Sequence, residues 1–158
     1  MRSVKIATLI LVFLCCTLST FAQQLPTKPP SAWSINLNTG GAPWEIQFRV
    51  TIEQDGNIRI EKKDKRAPEF KQIHDGHLPE AQLKEIYSHT VSALAGFRFR
   101  DAPSDVADGT SLRLSLSAYG TSMQIGIAGL QDAGAAGEHV KAVLKLMNEN
   151  IPKDAKVW

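Results

Sequence analysis

Residues 46–61 alternate apolar and polar side chains almost without a slip, and an Asp-Gly pair divides the run in two. Ile46, Phe48, Val50 and Ile52 share one parity. Glu45, Gln47, Arg49, Thr51 and Glu53 share the other. A period of two fits a strand buried on one face and is incompatible with a helix. The "QDGN" segment supplies the positive φ that a tight hairpin needs. Ile58 and Ile60 then carry the inward parity back along a second strand, with Arg59 and Glu61 outward. A hairpin of this kind must lay its apolar face on something, so the rest of the chain has to provide a lid.

The remaining periodicities supply that lid. "WSINL" puts Trp33, Ile35 and Leu37 on one side of a first strand, which "NTGGAP" breaks. Residues 62–77 show no period and predict an exposed loop. From Pro79 the spacing becomes helical, with Leu83, Ile86, Tyr87, Val91 and Leu94 on one stripe and Gly96 as a stop. Leu112, Leu114 and Leu116, then Met123, Ile125 and Ile127, predict a second hairpin around "AYGT". Val140, Val143, Leu144, Met147 and Ile151 form a second helical stripe. The expected fold is α+β, an antiparallel five-stranded sheet in the order β-ββα-ββα with both helices packed on one face. Residues 33–158 form its single domain.

Residues 1–22 predict a cleavable signal peptide. Arg2 and Lys5 precede a short apolar run, and "TFA" ends on a small residue at the cleavage point. Leu14 before Cys15, and Cys15 before Cys16, match a lipoprotein signal poorly. Residues 23–32 are polar and proline-rich, as in an extended linker. The protein is therefore expected to be exported, to the periplasm or beyond the cell, with no membrane span left after cleavage. Both cysteines leave with the leader, and with them any disulfide or thiolate chemistry. Of eighteen Lys and Arg, two leave as well, so the mature chain balances its sixteen Asp and Glu. A formally neutral chain gives no electrostatic case for nucleic acid.

No motif announces a reaction, and no cofactor is expected. The nucleophile elbow G-x-S-x-G is missing. His74 and His77 flank Asp75 in "HDGH" and are the weak candidates for a metal site, against a plain polar loop. His89 follows Glu85 by four residues and reads as a solvated helix pair. His139 reads as a boundary residue beside the second stripe. Asp101, Asp105 and Asp108 offer oxygen ligands without the spacing of a calcium loop. "GIAGLQDAGAAGEH" sits where phosphate loops sit but lacks their glycine order and lysine. The outward parity of the strands collects Ser34, Asn36, Gln47, Arg49, Thr51, Arg59, Arg113, Ser115, Ser117 and Gln124. This face is polar and carries no stacking aromatic, which speaks against a single-strand nucleic-acid platform. Arg49, Arg59 and Arg113 are its candidate partner contacts, and simple solvation of an open sheet is the alternative. Trp33 and Trp44 have inward parity and read as core lids.

The glycine pair Gly40-Gly41, the hairpin, "LPEAQLKEI" opening a helix, "DGTSLRLSL" opening a second hairpin and the closing helix together resemble the emfourin group. These are small bacterial proteins related to an inhibitor of thermolysin-like metalloproteases. The resemblance covers most of residues 33–151. The chain departs from the pattern in its leader and in the charged stretch 62–77. The resemblance implies a protease inhibitor whose contact loop holds Gly40, Gly41, Pro43 and Trp44; the alternative is that the glycines only permit a turn. Three functions stay open. One is an exported small binding module for a secreted protease or other envelope protein. The others are a small hydrolase or metal-binding protein with scattered site residues, and a structural envelope component.

Overall fold

The computed structural model describes residues 29–40, 46–96, 111–127 and 134–157. The elements run β1 (Trp33–Gly40), β2 (Gln47–Glu53), β3 (Asn57–Lys63), β4 (Lys71–His77), α1 (Glu80–Gly96), β5 (Ser111–Ala118), β6 (Thr121–Ile127) and α2 (Gly134–Glu149), then a short 3-10 turn at Lys153–Ala155. All strands join one antiparallel sheet in the order β4-β3-β2-β1-β5-β6. The class is α+β as expected, but the sheet has six strands where the periodicity predicts five. The order is β-βββα-ββα.

The added strand is β4, inside the stretch read as a loop. An edge strand is held by backbone hydrogen bonds to one neighbour and needs no apolar face of its own. In β4 the core-side positions opposite Ile60 and Ile58 are His74 and Gly76. The pairing steps from His74 opposite Ile60 to Gln72 opposite Glu61, which leaves Ile73 in a bulge. Its one large apolar residue is thus out of register with the alternation, and it is partly exposed.

The alternation read from the other strands becomes the core. Ile35, Leu37, Val50, Ile52, Ile58, Ile60, Leu112, Leu114, Leu116, Ile125 and Ile127 are all buried. Leu37 lies between Val50 and Leu114 at the middle of the sheet. Ile46 breaks the pattern: it precedes β2 and is half exposed. Met123 keeps the inward parity opposite Leu116 but stands on the β6 edge and is 43% exposed.

Both helices lie on the inner face. The α1 stripe buries Leu83, Ile86, Tyr87, Val91 and Leu94, and the Tyr87 ring meets Trp33 of β1 at 5.1 Å between centroids, tilted by 53°. The α2 stripe buries Val140, Val143, Leu144 and Met147. The chain after α2 adds Ile151, Ala155 and Val157 to the same core. Asn148 secures that tail by accepting a hydrogen bond from the Val157 backbone N–H at 3.1 Å.

The helices run antiparallel, and two polar contacts fix their register. The Gln82 side-chain amide donates to the Leu146 carbonyl, and its oxygen accepts from the Asn150 amide. Leu146 lies in the last turn of α2, where carbonyls have no partner within the helix, so Gln82 acts as an imported cap. Seven residues further along α1 and seven back along α2, His89 meets His139. Seven residues are about two helical turns, which brings both contacts onto the same seam.

Candidate functional site

Both described helices lie on one side of the sheet, and no element among the described residues covers the other. Strand register sorts its side chains into rows. One row reads Asp75, Arg59, Thr51, Asn36, Ser115, Gln124. The next reads Gln72, Glu61, Arg49, Asn38, Arg113, Gly126. Asn38 on the central strand therefore has a guanidinium-bearing residue on each side. Strands are spaced about 4.8 Å apart, so the Cα atoms of Arg49 and Arg113 stand about 10 Å apart.

The two arginines differ in their surroundings. Arg49 lies over the Phe70 ring, its guanidinium carbon 4.3 Å from the centroid, and Lys63 Nζ approaches the same ring at 6.0 Å. Arg49 Nη1 also donates to Glu61 Oε2 at 3.4 Å. That pair is solvent-exposed and contributes about 0–1 kcal/mol, so its main effect is to orient the guanidinium. Arg113 is exposed, and no acid among the described residues pairs with it. Arg59 faces Asp75 across the β3–β4 ladder. The smaller groups hold one another: Thr51 donates to Asn36 Oδ1 at 3.1 Å, and Ser117 donates to Ser122 Oγ at 3.2 Å. At the end of the sheet nearest Trp33, a shallow hollow of about 520 Å³ opens beside Ser34, Glu53, Ser117, Thr121 and Ser122.

The expectation of an outer face free of aromatic rings fails at Phe70. It lies in the stretch read as a loop, and only the β4 pairing brings it beside Arg49. A single ring already covered by a guanidinium still offers no run of stacking platforms.

The candidate residues fall out as follows. Gly40 ends β1, two residues beyond Asn38 on the same face. Gly41, Pro43 and Trp44 lie outside the described residues, as do Asp101, Asp105, Asp108 and residues 128–133 of the glycine-rich run. His74 and His77 both stand on β4, opposite Ile60 and Asn57 respectively, which puts them on opposite faces of the sheet. The His74 ring folds over Gly76 and the His77 ring over Gly56, so the pair does not converge on a common point. Among the described residues, no group of three or more His, Cys, Asp or Glu is arranged to hold a metal ion. Nor is any helix among them long and apolar enough to cross a membrane.

The feature that sequence reasoning missed is the meeting of His89 with His139. Their Nδ1 atoms are 3.0 Å apart and the ring centroids 5.2 Å, with 44° between the planes. Both are half-buried. Read one helix at a time, each is a polar residue beside an apolar stripe. The antiparallel packing of two stripes joins those flanks, and the only sequence signal for it is that each histidine borders its stripe.

No known protein-family model matches the chain, and no curated protein matches it.

Proposed function

We propose that this chain is an exported binding module that docks a protein partner through the open face of its sheet, with Arg49 and Arg113 as anchors for acidic groups on that partner. The observation that supports this reading is the Arg49–Asn38–Arg113 row, in which two guanidinia flank a central amide on a face that neither described helix covers. Arginine is favoured in interfaces because its planar fork grips carboxylates bidentately. Arg49 is the better prepared of the two, since Phe70 and Glu61 already hold it and less side-chain freedom is lost on binding. The hydroxyls and amides around the row are short and mutually bonded, as suits a polar rim.

Inhibition of a secreted thermolysin-type protease is the specific form that the emfourin resemblance gives to this reading. In its favour, Gly40, which is the one residue of the implied contact loop among the described residues, ends β1 beside the arginine row. Titration of the purified chain against such a protease tests it. The expected result is stoichiometric loss of activity, weakened when Arg49 and Arg113 are both changed to Glu. Full protease activity at excess chain ends the inhibitor form. The broader reading is checked by NMR with a glutamate-rich peptide, which should shift the Arg49 and Arg113 guanidinium signals. If neither signal moves, the arginine row is not a docking site.

A further inference from the structure

We infer that the end of the β3–β4 hairpin is a membrane-surface contact, which seats Lys65, Arg66 and Lys71 on the phosphate headgroups of an anionic phospholipid bilayer. Residues 62–71 hold five cations, Lys62, Lys63, Lys65, Arg66 and Lys71, against two anions, Asp64 and Glu69. That local excess is larger than the +2 of the entire chain. Salt screens charges beyond about 8 Å, so a bilayer meets the local excess and not the overall balance. Lys62 is engaged by Asp64 at 2.9 Å, and Lys63 lies toward the Phe70 ring. Lys65, Arg66 and Lys71 are exposed, and among the described residues no acid pairs with them.

Two features of the hairpin work against its own stability and keep cations at its end. Lys62 and Lys71 stand opposite each other in the ladder, and like charges directly opposite destabilise a sheet. In the turn at 64–67 the Ala67 N–H donates to Asp64 O at 2.9 Å, and Arg66 takes a φ of +67 at the third position. Glycine or asparagine is usual there, so a long cation is held at the tip against backbone preference. The kind of cation and its neighbours select the partner. Four of the five are Lys, a point charge on a flexible stem that suits a diffuse anionic surface, whereas the fork of Arg suits a single carboxylate. Exposed apolar side chains flank them. Ile46 is 51% exposed next to the Gln47–Lys63 pair, and Ile73 is 37% exposed in the β4 bulge two residues past Lys71. A headgroup layer accepts that mixture, with the apolar part immersed and the ammonium groups at the phosphates. Lys65, Arg66 and Lys71 lie outside the Arg49–Asn38–Arg113 row, so either surface can fail without the other.

The test uses residues 23–158, which hold the whole core and omit the apolar leader that would bind vesicles by itself. Co-sedimentation reads binding to vesicles of equimolar phosphatidylglycerol and phosphatidylcholine, and to phosphatidylcholine alone. The parent should bind the mixed vesicles, ignore the neutral ones, and be largely released by about 0.5 M NaCl. The triple variant Lys65→Gln, Arg66→Gly, Lys71→Gln should bind at least about tenfold more weakly. Glycine suits the turn, and circular dichroism checks that the variant is folded. The control triple Lys145→Gln, Lys153→Gln, Lys156→Gln removes the same charge and should bind as the parent does. Its residues lie about the Gln82–Leu146 contact near the start of α1, at the end of the sheet where β4 finishes rather than begins. Ile46→Ser with Ile73→Ser should also weaken binding. No binding to mixed vesicles, no loss in the hairpin triple, equal loss in the control triple, or unchanged binding in the isoleucine pair would each overturn the inference. Release by inorganic phosphate of matched charge would show a free-anion site instead. Loss of a glutamate-rich peptide rather than of vesicles in the hairpin triple would show an acidic protein partner, and either result sinks the membrane assignment.

Discussion

Two glycines in this fold have positive φ in hairpin turns but differ in what surrounds them, and substituting each with alanine separates backbone strain from steric cost. Gly56 (φ +91) closes the β2–β3 turn, and its N–H donates to Glu53 O at 3.0 Å. Gly120 (φ +72) occupies the β5–β6 turn. A Cβ at Gly120 would meet nothing within 4 Å, whereas one at Gly56 would lie 2.8 Å from His77 Cε1 and 2.9 Å from the Leu78 carbonyl oxygen. The left-handed region costs an L-residue about 1–2 kcal/mol at either position. At Gly56 the exposed His77 ring can swing aside, but the Leu78 carbonyl is backbone. Moving it strains the Leu78 N–H bond to Gly56 O at 2.9 Å, which ties the turn to the start of α1. Losing that bond adds about 1 kcal/mol. Gly120→Ala should therefore cost about 1–2 kcal/mol and Gly56→Ala about 2–4 kcal/mol. Urea unfolding with unchanged m-values reads both. Adding His77→Ala to Gly56→Ala should recover only a minor part, because the ring is not the rigid obstacle. Equal losses at the two glycines, or full recovery by His77→Ala, would refute the reasoning.

Other consequences follow from single contacts. Gln82→Ala removes the partner of the Leu146 carbonyl at the end of α2, and should destabilise the fold by about 1–3 kcal/mol in the same urea assay. The hydrogen bond from Lys84, and then its charge, hold the Glu80 carboxyl below the ordinary glutamate value. Whatever stability this contributes is present above the unfolded-state value and is lost as pH falls through the folded one. NMR titration should show the Glu80 value rising in Lys84→Met. Burial, with the charge of Tyr119 second, pushes the Tyr87 phenol above its ordinary value. The stability gained from the neutral phenol is therefore complete below the unfolded-state value and lost as pH rises through the folded one, so Tyr87→Phe should resist alkaline unfolding better than the parent.

How legible each part was depends on what holds it. β2 and β3 could be read because each buries one face, and burial leaves a period of two in the side chains. The stripes of α1 and α2 were legible for the same reason at the helical period. β4 was not, since its place in the sheet rests on backbone bonds that any sequence can make, and its bulge puts Ile73 out of step. Phe70 was missed together with β4, because it reaches Arg49 only once that strand is paired. His74 and His77 looked like partners by spacing alone; strand geometry sends residues three apart to opposite faces.

The amino-acid sequence by itself determined which side chains leave water: Leu37, Val50, Ile60, Leu114 and Val140 are inward by parity or stripe whatever their neighbours. Transfer of apolar surface from water is a local property, so a local pattern records it. Only the tertiary structure decided which polar groups meet. Arg49 and Arg113 flank Asn38 because β1 pairs with both β2 and β5 in one register. His89 faces His139 because two stripes pack antiparallel in another. Such contacts are set by distances between elements remote in sequence, and no periodicity within one element encodes them.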